Sequence, residues 1–252
     1  MTAPVRAPPI IAAHDAASFG VKAAEHLSGL LAIKPAATLV LPAGKTPLPL
    51  YHALRERHRA GDFRAGFTYC ALDEYCGLPP GDARLLTGWM AGELLDPLAV
   101  PPERRLCFRS DAPDLDAEAA RMEARLEARG GIDIAVLGLG LNGHIGFNEP
   151  GSDFDSRTRM VELTPATLAG NAAYWQGKPP PARAVTLGLG TLRRARHTLL
   201  LVTGASKVGI LRRAFSAPPS PAIPASYLQT QDNITIIADD AALAAFPAAT
   251  WR

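Results

Sequence analysis

Six short apolar runs, Thr38 to Leu41, Phe67 to Leu72, Ile132 to Leu137, Ala184 to Leu187, Thr198 to Thr203 and Ile234 to Ala238, constrain this chain more than anything else in it. Several carry aliphatic residues at successive positions instead of alternate ones, as strands covered on both faces do. Helical periodicity fills the intervals, near 15–33, 47–60, 84–96, 114–129, 205–215 and 239–245. Strand and helix in alternation predict an α/β fold built on a mainly parallel sheet with helices on both faces.

A chain of 252 residues suits a single domain spanning 1–252, and no internal repeat divides it. The proline-rich stretches Lys178 to Pro181 and Pro218 to Pro224 read as surface connections within that domain. No apolar run is long enough to span a bilayer, and the proline-interrupted N-terminus holds no secretory apolar core, so the expected location is cytoplasmic and no membrane partner is expected. Cys70, Cys76 and Cys107 form an odd set without a C-x-x-C pair, which predicts reduced, mostly buried thiols and neither a disulfide framework nor a metal site. The net charge is only +2, and the Arg193 to Arg196 cluster suits a solvated helix end, so no nucleic-acid partner is expected.

In parallel α/β sheets ligands bind beyond the carboxyl ends of the strands, and four of the loops there are unusual. The first, Leu41-Pro-Ala-Gly-Lys-Thr-Pro47, places Thr46 to cap a helix beginning at Pro47, with Gly44, Lys45 and Thr46 around an anion site. A nucleotide-binding P-loop is excluded, because the glycine required five residues before Gly44 is Leu39. The second loop sets two carboxylates, Asp73 and Glu74, straight after an apolar strand. One of them, partly desolvated, would be basic enough to take a proton from carbon beside a carbonyl; the plainer alternative is an acidic loop that caps a helix.

The third loop, Gly138-Leu-Gly-Leu-Asn-Gly-His-Ile-Gly-Phe-Asn-Glu-Pro150, is the most informative. Its glycines let backbone approach a ligand, His144 can shuttle protons near neutral pH, and Asn142 and Glu149 are placed to orient its ring. His14, His26, His52, His58 and His197 have no such surroundings and read as structural. In the fourth loop, Thr203-Gly-Ala-Ser-Lys207, a lysine opposes the helix dipole in the first turn. Either it serves a phosphate shared with the Pro47 helix, or it reaches out to solvent.

Together these segments, with Gly151 to Arg159, resemble the glucosamine-6-phosphate deaminase family, part of a wider group that includes the 6-phosphogluconolactonases. The resemblance spans nearly the whole chain. It implies a modified Rossmann-like fold and conversion of an amino-sugar 6-phosphate to the ketose phosphate and ammonia, without an organic cofactor. By that resemblance His144 assists ring opening, Asp73 moves the proton between C2 and C1, Glu149 polarises His144, and Glu74 supports from the same cleft. Gly44, Lys45, Thr46 and Lys207 would hold the phosphate.

The chain departs from the family pattern in several places. Asn142 stands where many members have aspartate, which keeps a hydrogen bond and drops a charge. A phosphate-binding arginine of known members would fall near Ala173, with Lys45 as a compensating cation. Tyr174 and Trp175 beside it read as ordinary core aromatics. Ser152 and Arg159 match the effector site of regulated hexameric members, but Val161 replaces a lysine, so no allosteric activation is expected; the chain stops soon after its last strand, where hexameric members run further, so a monomer or small homo-oligomer is expected. Three rival readings remain: a galactosamine-6-phosphate deaminase/isomerase, which Asn142 and Ile223 to Ser226 resemble; a 6-phosphogluconolactonase, whose branch lacks the Phe-Asn-Glu-Pro continuation; and a non-catalytic sugar-phosphate sensor.

Overall fold

The computed structural model describes residues 8–170, 177–179 and 181–244. In chain order the first half runs β1 (Ile10–Ala13), α1 (Ala16–Ile33), β2 (Thr38–Leu41), α2 (Leu48–Arg59), β3 (Thr68–Ala71), β4 (Asp73–Tyr75), α3 (Leu86–Met90), β5 (Arg105–Leu106) and α4 (Leu115–Glu127). The second half continues with β6 (Ile134–Gly138), β7 (Arg159–Glu162), α5 (Pro165–Gly170), β8 (Arg183–Thr186), α6 (Leu189–Leu192), β9 (His197–Val202), α7 (Val208–Ser216), β10 (Ile234–Asp239) and α8 (Asp240–Leu243).

Among the described residues seven strands form one wholly parallel sheet in the order β1-β10-β9-β6-β2-β3-β5. Every residue of β2 is buried, as are four of the five in β6, which confirms cover on both faces. The edge strand β1 is not evident among the apolar runs, because its four residues sit just after a proline pair and expose one face. The reading of Ala184 to Leu187 as a strand of the parallel sheet is corrected: β8 lies in a separate antiparallel sheet, β4-β8-β7. A local apolar run marks a strand but carries no information on which partner it will pair with.

The two sheets join where only Leu72 separates β3 from β4, and Leu187 N donates to Leu72 O at 2.9 Å across that bend. A second small core of Tyr75, Leu78, Leu85, Phe147, Leu163 and Ala184 fills behind the small sheet, with the Tyr75 and Phe147 rings 5.3 Å apart.

Helix α1 begins where Asp15 and Ser18 close a reciprocal cap: Ser18 N donates to the Asp15 carboxylate at 2.8 Å and Asp15 N to Ser18 Oγ at 3.1 Å. Its Phe19, Ala23, Leu27 and Leu31, spaced at one-turn intervals, are buried, and α1 packs against α2. That packing needs Gly20, since a Cβ there would lie 2.4 Å from Pro49 O. Cutting the fully buried Leu27 of α1 back to alanine would cost about 2–5 kcal/mol.

At the amino ends of the central strands the buried Asp133 carboxylate accepts from Thr38 N (2.8 Å), Lys34 Nζ (2.8 Å) and Arg196 Nε (3.0 Å). This ties the starts of β2, β6 and β9 together and fixes the far end of the sheet from the unusual loops. Cys70 and Cys76 are buried and Cys107 half-buried, all as free thiols.

Candidate active site

The four loops follow β2, β3, β6 and β9, which are neighbours in the order β9-β6-β2-β3. From β2 the chain moves outward to β3 and β5, then returns to the other side of β2 as β6. Strand order therefore reverses between β2 and β6, and a crevice opens beyond their carboxyl ends. A cleft of about 740 Å³ lies there. Gly44, Lys45, Thr46, Asp73, Asn142, His144 and Lys207 all line it.

The Gly44 loop holds a backbone conformation with φ of +117° that suits glycine alone. Tyr51 anchors it from below by donating its buried hydroxyl to Pro42 O at 2.6 Å. Thr46 does not cap α2: the cap position is Pro47, with no side-chain cap bond, and Leu48 N donates to Lys45 O at 3.2 Å. Pro47 and Pro49 lack amide hydrogens, so the first turn of α2 has few donors to give an anion. What faces the cleft is the 44–46 loop itself together with the side chains of Lys45 and Thr46.

Lys207 enters from a single 3₁₀ turn, Ala205–Lys207, ahead of α7. It does not reach out to solvent. Its ammonium donates to Leu139 O at 2.6 Å, so the charge is held over the end of β6, and burial lowers its pKa. An ammonium has three hydrogens, and Leu139 O takes one of them.

Successive residues of a strand point to opposite sides, and this separates the two carboxylates that sit side by side in sequence. Asp73 opens β4 and faces the cleft, where a Cβ on Gly146 would stand 3.2 Å from its Oδ2. Removed from water, and with the Glu74 charge nearby, its carboxyl is pushed up to about 7. Glu74 points the other way and is 1% exposed. Its oxygens accept from Tyr75 N (2.9 Å), Leu86 N (2.9 Å), Thr87 N (2.8 Å) and Thr87 Oγ1 (2.6 Å). Burial raises its pKa, and those hydrogen bonds oppose the rise. The expectation that Glu74 shares the cleft is thus corrected: it seats the start of α3 beneath Asp73.

His144 lies in the loop after β6, with Gly143 at φ +89° and Gly146 at φ +56° on either side. Gly140 N donates to His144 O at 3.0 Å, and a Cβ on Gly140 would fall 2.4 Å from the imidazole, so only glycine admits the ring there. The end of the Pro218 to Pro224 stretch, which reads from sequence as a surface connection, packs beneath this loop. Ile223 is buried, its methyl would meet a Cβ on Gly143 at 2.7 Å, and Ala225 N donates to Gly143 O at 2.8 Å.

Behind the ring, Nδ1 is buried, without a hydrogen-bond partner among the described residues, 3.6 Å from Glu149 Oε1. Burial lowers the His144 pKa; the Glu149 charge raises it and Lys207 lowers it further. Asn142 does not touch the imidazole. Its Oδ1 accepts His144 N at 3.1 Å and its Nδ2 donates to Glu149 Oε2 at 2.7 Å. Since backbone N–H only donates and a carboxylate only accepts, this amide orientation is the one chemistry allows. Asn142 therefore acts on His144 through the backbone and through Glu149.

Two residues that sequence reasoning passes over also line the cleft. Arg84 donates to both oxygens of Asp82 (2.8 and 2.7 Å) and to Pro179 O (3.0 Å), within a segment that reads as the start of a helix. Thr167, on α5, donates to Glu149 Oε1. A Thr-Pro-x-Thr string signals only a helix start, so nothing in the sequence points to chemistry there. Arg159 donates to Asn148 Oδ1 (2.8 Å) and Ser152 Oγ (3.1 Å), which joins two of the residues matched to an effector site. Ala173, Tyr174 and Trp175 lie outside the described residues. Among the described residues no three His, Cys, Asp or Glu side chains gather into a metal-binding group.

Residues 12–237 match the family model for glucosamine-6-phosphate isomerases/6-phosphogluconolactonase. A glucosamine-6-phosphate deaminase of Pseudarthrobacter chlorophenolicus is 39% identical over 234 residues, covering 92% of this chain and 90% of that one. The structure of a monomeric glucosamine-6-phosphate deaminase superposes with a TM-score of 0.88 at 32% identity, over 97% of this chain and 100% of the other. A 6-phosphogluconolactonase from Trypanosoma cruzi gives 0.77 at 20% identity, over 96% and 97% of the two chains, a likeness of fold.

Proposed function

Because the chain belongs to the glucosamine-6-phosphate isomerase/6-phosphogluconolactonase family, we propose that its cleft isomerises and deaminates glucosamine 6-phosphate to fructose 6-phosphate and ammonia. The observation that carries this reading is Asp73. A carboxyl pushed up to about 7 is partly ionised at neutral pH, so it can take a proton from one carbon and give it back to the next. Moving a proton from C2 to C1 of an open-chain amino sugar is served by one such group on a single face of the enediol-like intermediate.

The remaining roles follow from position. Lys207, Lys45 and the 44–46 backbone hold the phosphate at the β2 and β9 ends of the crevice. His144 presents the accessible edge of its ring to the cleft and moves the proton that opens the sugar ring, with Glu149 behind it to stabilise the imidazolium. Proton transfer from C2 to C1 leaves an imine at C2. Water adds to that carbon, ammonia departs, and the ketose phosphate remains.

A role in amino-sugar catabolism and a monomeric or small homo-oligomeric state belong to the same proposal, and the likeness to a monomeric deaminase supports the latter. A cytoplasmic location fits a phosphorylated substrate, and no helix among the described residues is long and apolar enough to cross a membrane. The test is ammonia release from glucosamine 6-phosphate and galactosamine 6-phosphate side by side, with Asp73→Asn and His144→Gln as controls. Release from the glucosamine ester, abolished in both variants, is the expected result. Release from the galactosamine ester alone would move the assignment to the C4 epimer. Silence with both sugars in a folded protein that binds them would overturn deamination and leave lactone hydrolysis or a sensor.

A further inference from the structure

Glu149 stands where two donors and the His144 ring converge. Its Oε2 accepts from Asn142 Nδ2 at 2.7 Å, and its Oε1 accepts the hydroxyl of Thr167. The same Oε1 is the oxygen that faces His144 Nδ1, at 3.6 Å, beyond hydrogen-bond reach. Among the described residues Nδ1 is buried and has no hydrogen-bond partner. Thr167 comes from α5, a separate element from the loop that carries His144 and Glu149.

The direction of this network is fixed by chemistry. An ionised carboxylate only accepts, so Thr167 donates its proton to Glu149, and the Thr167 oxygen is left to accept from Thr164 Oγ1 at 3.2 Å. Thr164 Oγ1 also accepts Thr167 N at 3.2 Å, which locks the pair of threonines at the start of α5. The hydroxyl is therefore not a rotor that can turn elsewhere.

We propose that Thr167 is a positioning residue that sets the proton affinity of His144, by engaging the one oxygen of Glu149 that faces Nδ1 and holding it short of the imidazole. This rests on the reading of His144 as the group that moves protons in the cleft. With Oε1 supplied by Thr167, the imidazole is attracted by the Glu149 charge but not hydrogen-bonded to it, and it gives up its proton readily. Without the hydroxyl, Oε1 lacks a donor and the nearest donor is a protonated Nδ1. The two close to a direct bond, and His144 holds its proton more tightly.

The other charged groups around His144 stay in place. Lys207, from the turn before α7, opposes protonation; Asp73 on β4, Lys45 and Arg84 line the same cleft. None of them is carried by α5, so a change at Thr167 reaches His144 through Glu149.

The experiment is an NMR titration of the His144 ring, assigned by the signal lost in His144→Gln, on the parent protein and on Thr167→Val, Thr167→Ala and Thr167→Ser. Thr167→Val and Thr167→Ala are expected to raise the His144 pKa by about 1 unit. Thr167→Ser keeps the hydroxyl and is expected to return the parent value. An unmoved or lowered His144 pKa in a folded hydroxyl-less variant would overturn the proposal, as would a serine variant that behaves like alanine. A merely structural role would lower stability and leave the titration where it was. Should valine not fold, alanine and serine carry the comparison. The titration needs no substrate, so it reads this coupling even if ammonia release fails and the deaminase reading falls.

Discussion

Replacing the proposed catalytic base should make the protein more stable. In the folded chain the Asp73 carboxyl is pushed from its ordinary 3.8 up to about 7, by burial first and by the Glu74 charge second. The folded state therefore favours the neutral acid, and ionising it works against folding. The stabilising protonated form is fully present below 3.8, and that contribution is lost as pH rises through about 7. A rise of roughly three pH units, at about 1.4 kcal/mol each, sets a ceiling near ~4 kcal/mol above that range. Asp73 lines an open cleft, so solvent screening brings the expected figure to about 1–2 kcal/mol. A side-chain amide cannot ionise, so Asp73→Asn should gain that much over the parent at a pH of about 8.5 and little at about 4.5, while ammonia release disappears. Urea unfolding of both proteins at the two pH values is the assay. A variant no more stable at the higher pH, or a difference that does not grow with pH, would refute the claim that Asp73 is held at a raised pKa and remove the main argument for its role.

Gly140→Ala puts a methyl 2.4 Å from the His144 ring, and turnover should fall about 100-fold with the urea midpoint little changed; an intact rate would mean that the ring is not held where the structure places it. Glu74→Gln turns one of the two accepting oxygens into an NH2 that faces either the Tyr75 and Leu86 amides or the Thr87 donors, and should lose about 2–4 kcal/mol of stability, read from the denaturation midpoint. If turnover collapses with stability intact, Glu74 belongs to the chemistry after all. Lys207→Met removes a half-buried ammonium and should raise KM for the sugar phosphate about 30-fold, by the loss of about 2 kcal/mol of charge-assisted binding; initial-rate kinetics with unchanged KM would take Lys207 out of the phosphate site.

Much of the cleft is visible in the chain because each loop follows a strand that announces itself. β2, β6 and β9 are apolar at nearly every position, and the glycines, lysines and histidine that follow them have no structural reason to cluster there. Gly44, Lys45, Thr46, Asp73, Asn142, His144 and Lys207 all line the cleft, as their positions after these strands lead one to expect. The failures share a cause. Adjacency to Asp73 in sequence suggests that Glu74 shares the cleft, but β4 is a strand, and strand neighbours face apart. Proximity in the loop suggests that Asn142 orients the imidazole, yet its amide is taken by a backbone N–H and by Glu149. Thr46 has the chemistry of a cap, but the Lys45 to Leu48 turn closes α2 without it.

What the sequence determined by itself was local: which segments are buried strands, where backbone needs glycine, and which loops carry titratable groups with no packing role. Burial periodicity and backbone sterics act over a few residues, so a few residues suffice to read them. Only the tertiary structure decided which strand pairs with which, that β4, β7 and β8 leave the parallel sheet for one of their own, and that Thr167 reaches Glu149 from another element. Those outcomes depend on contacts between residues far apart in the chain. The pKa of Asp73 is of that second kind, because the water it loses is displaced by Gly146 and the His144 loop, which the chain reaches only after α3, β5, α4 and β6 have been laid down.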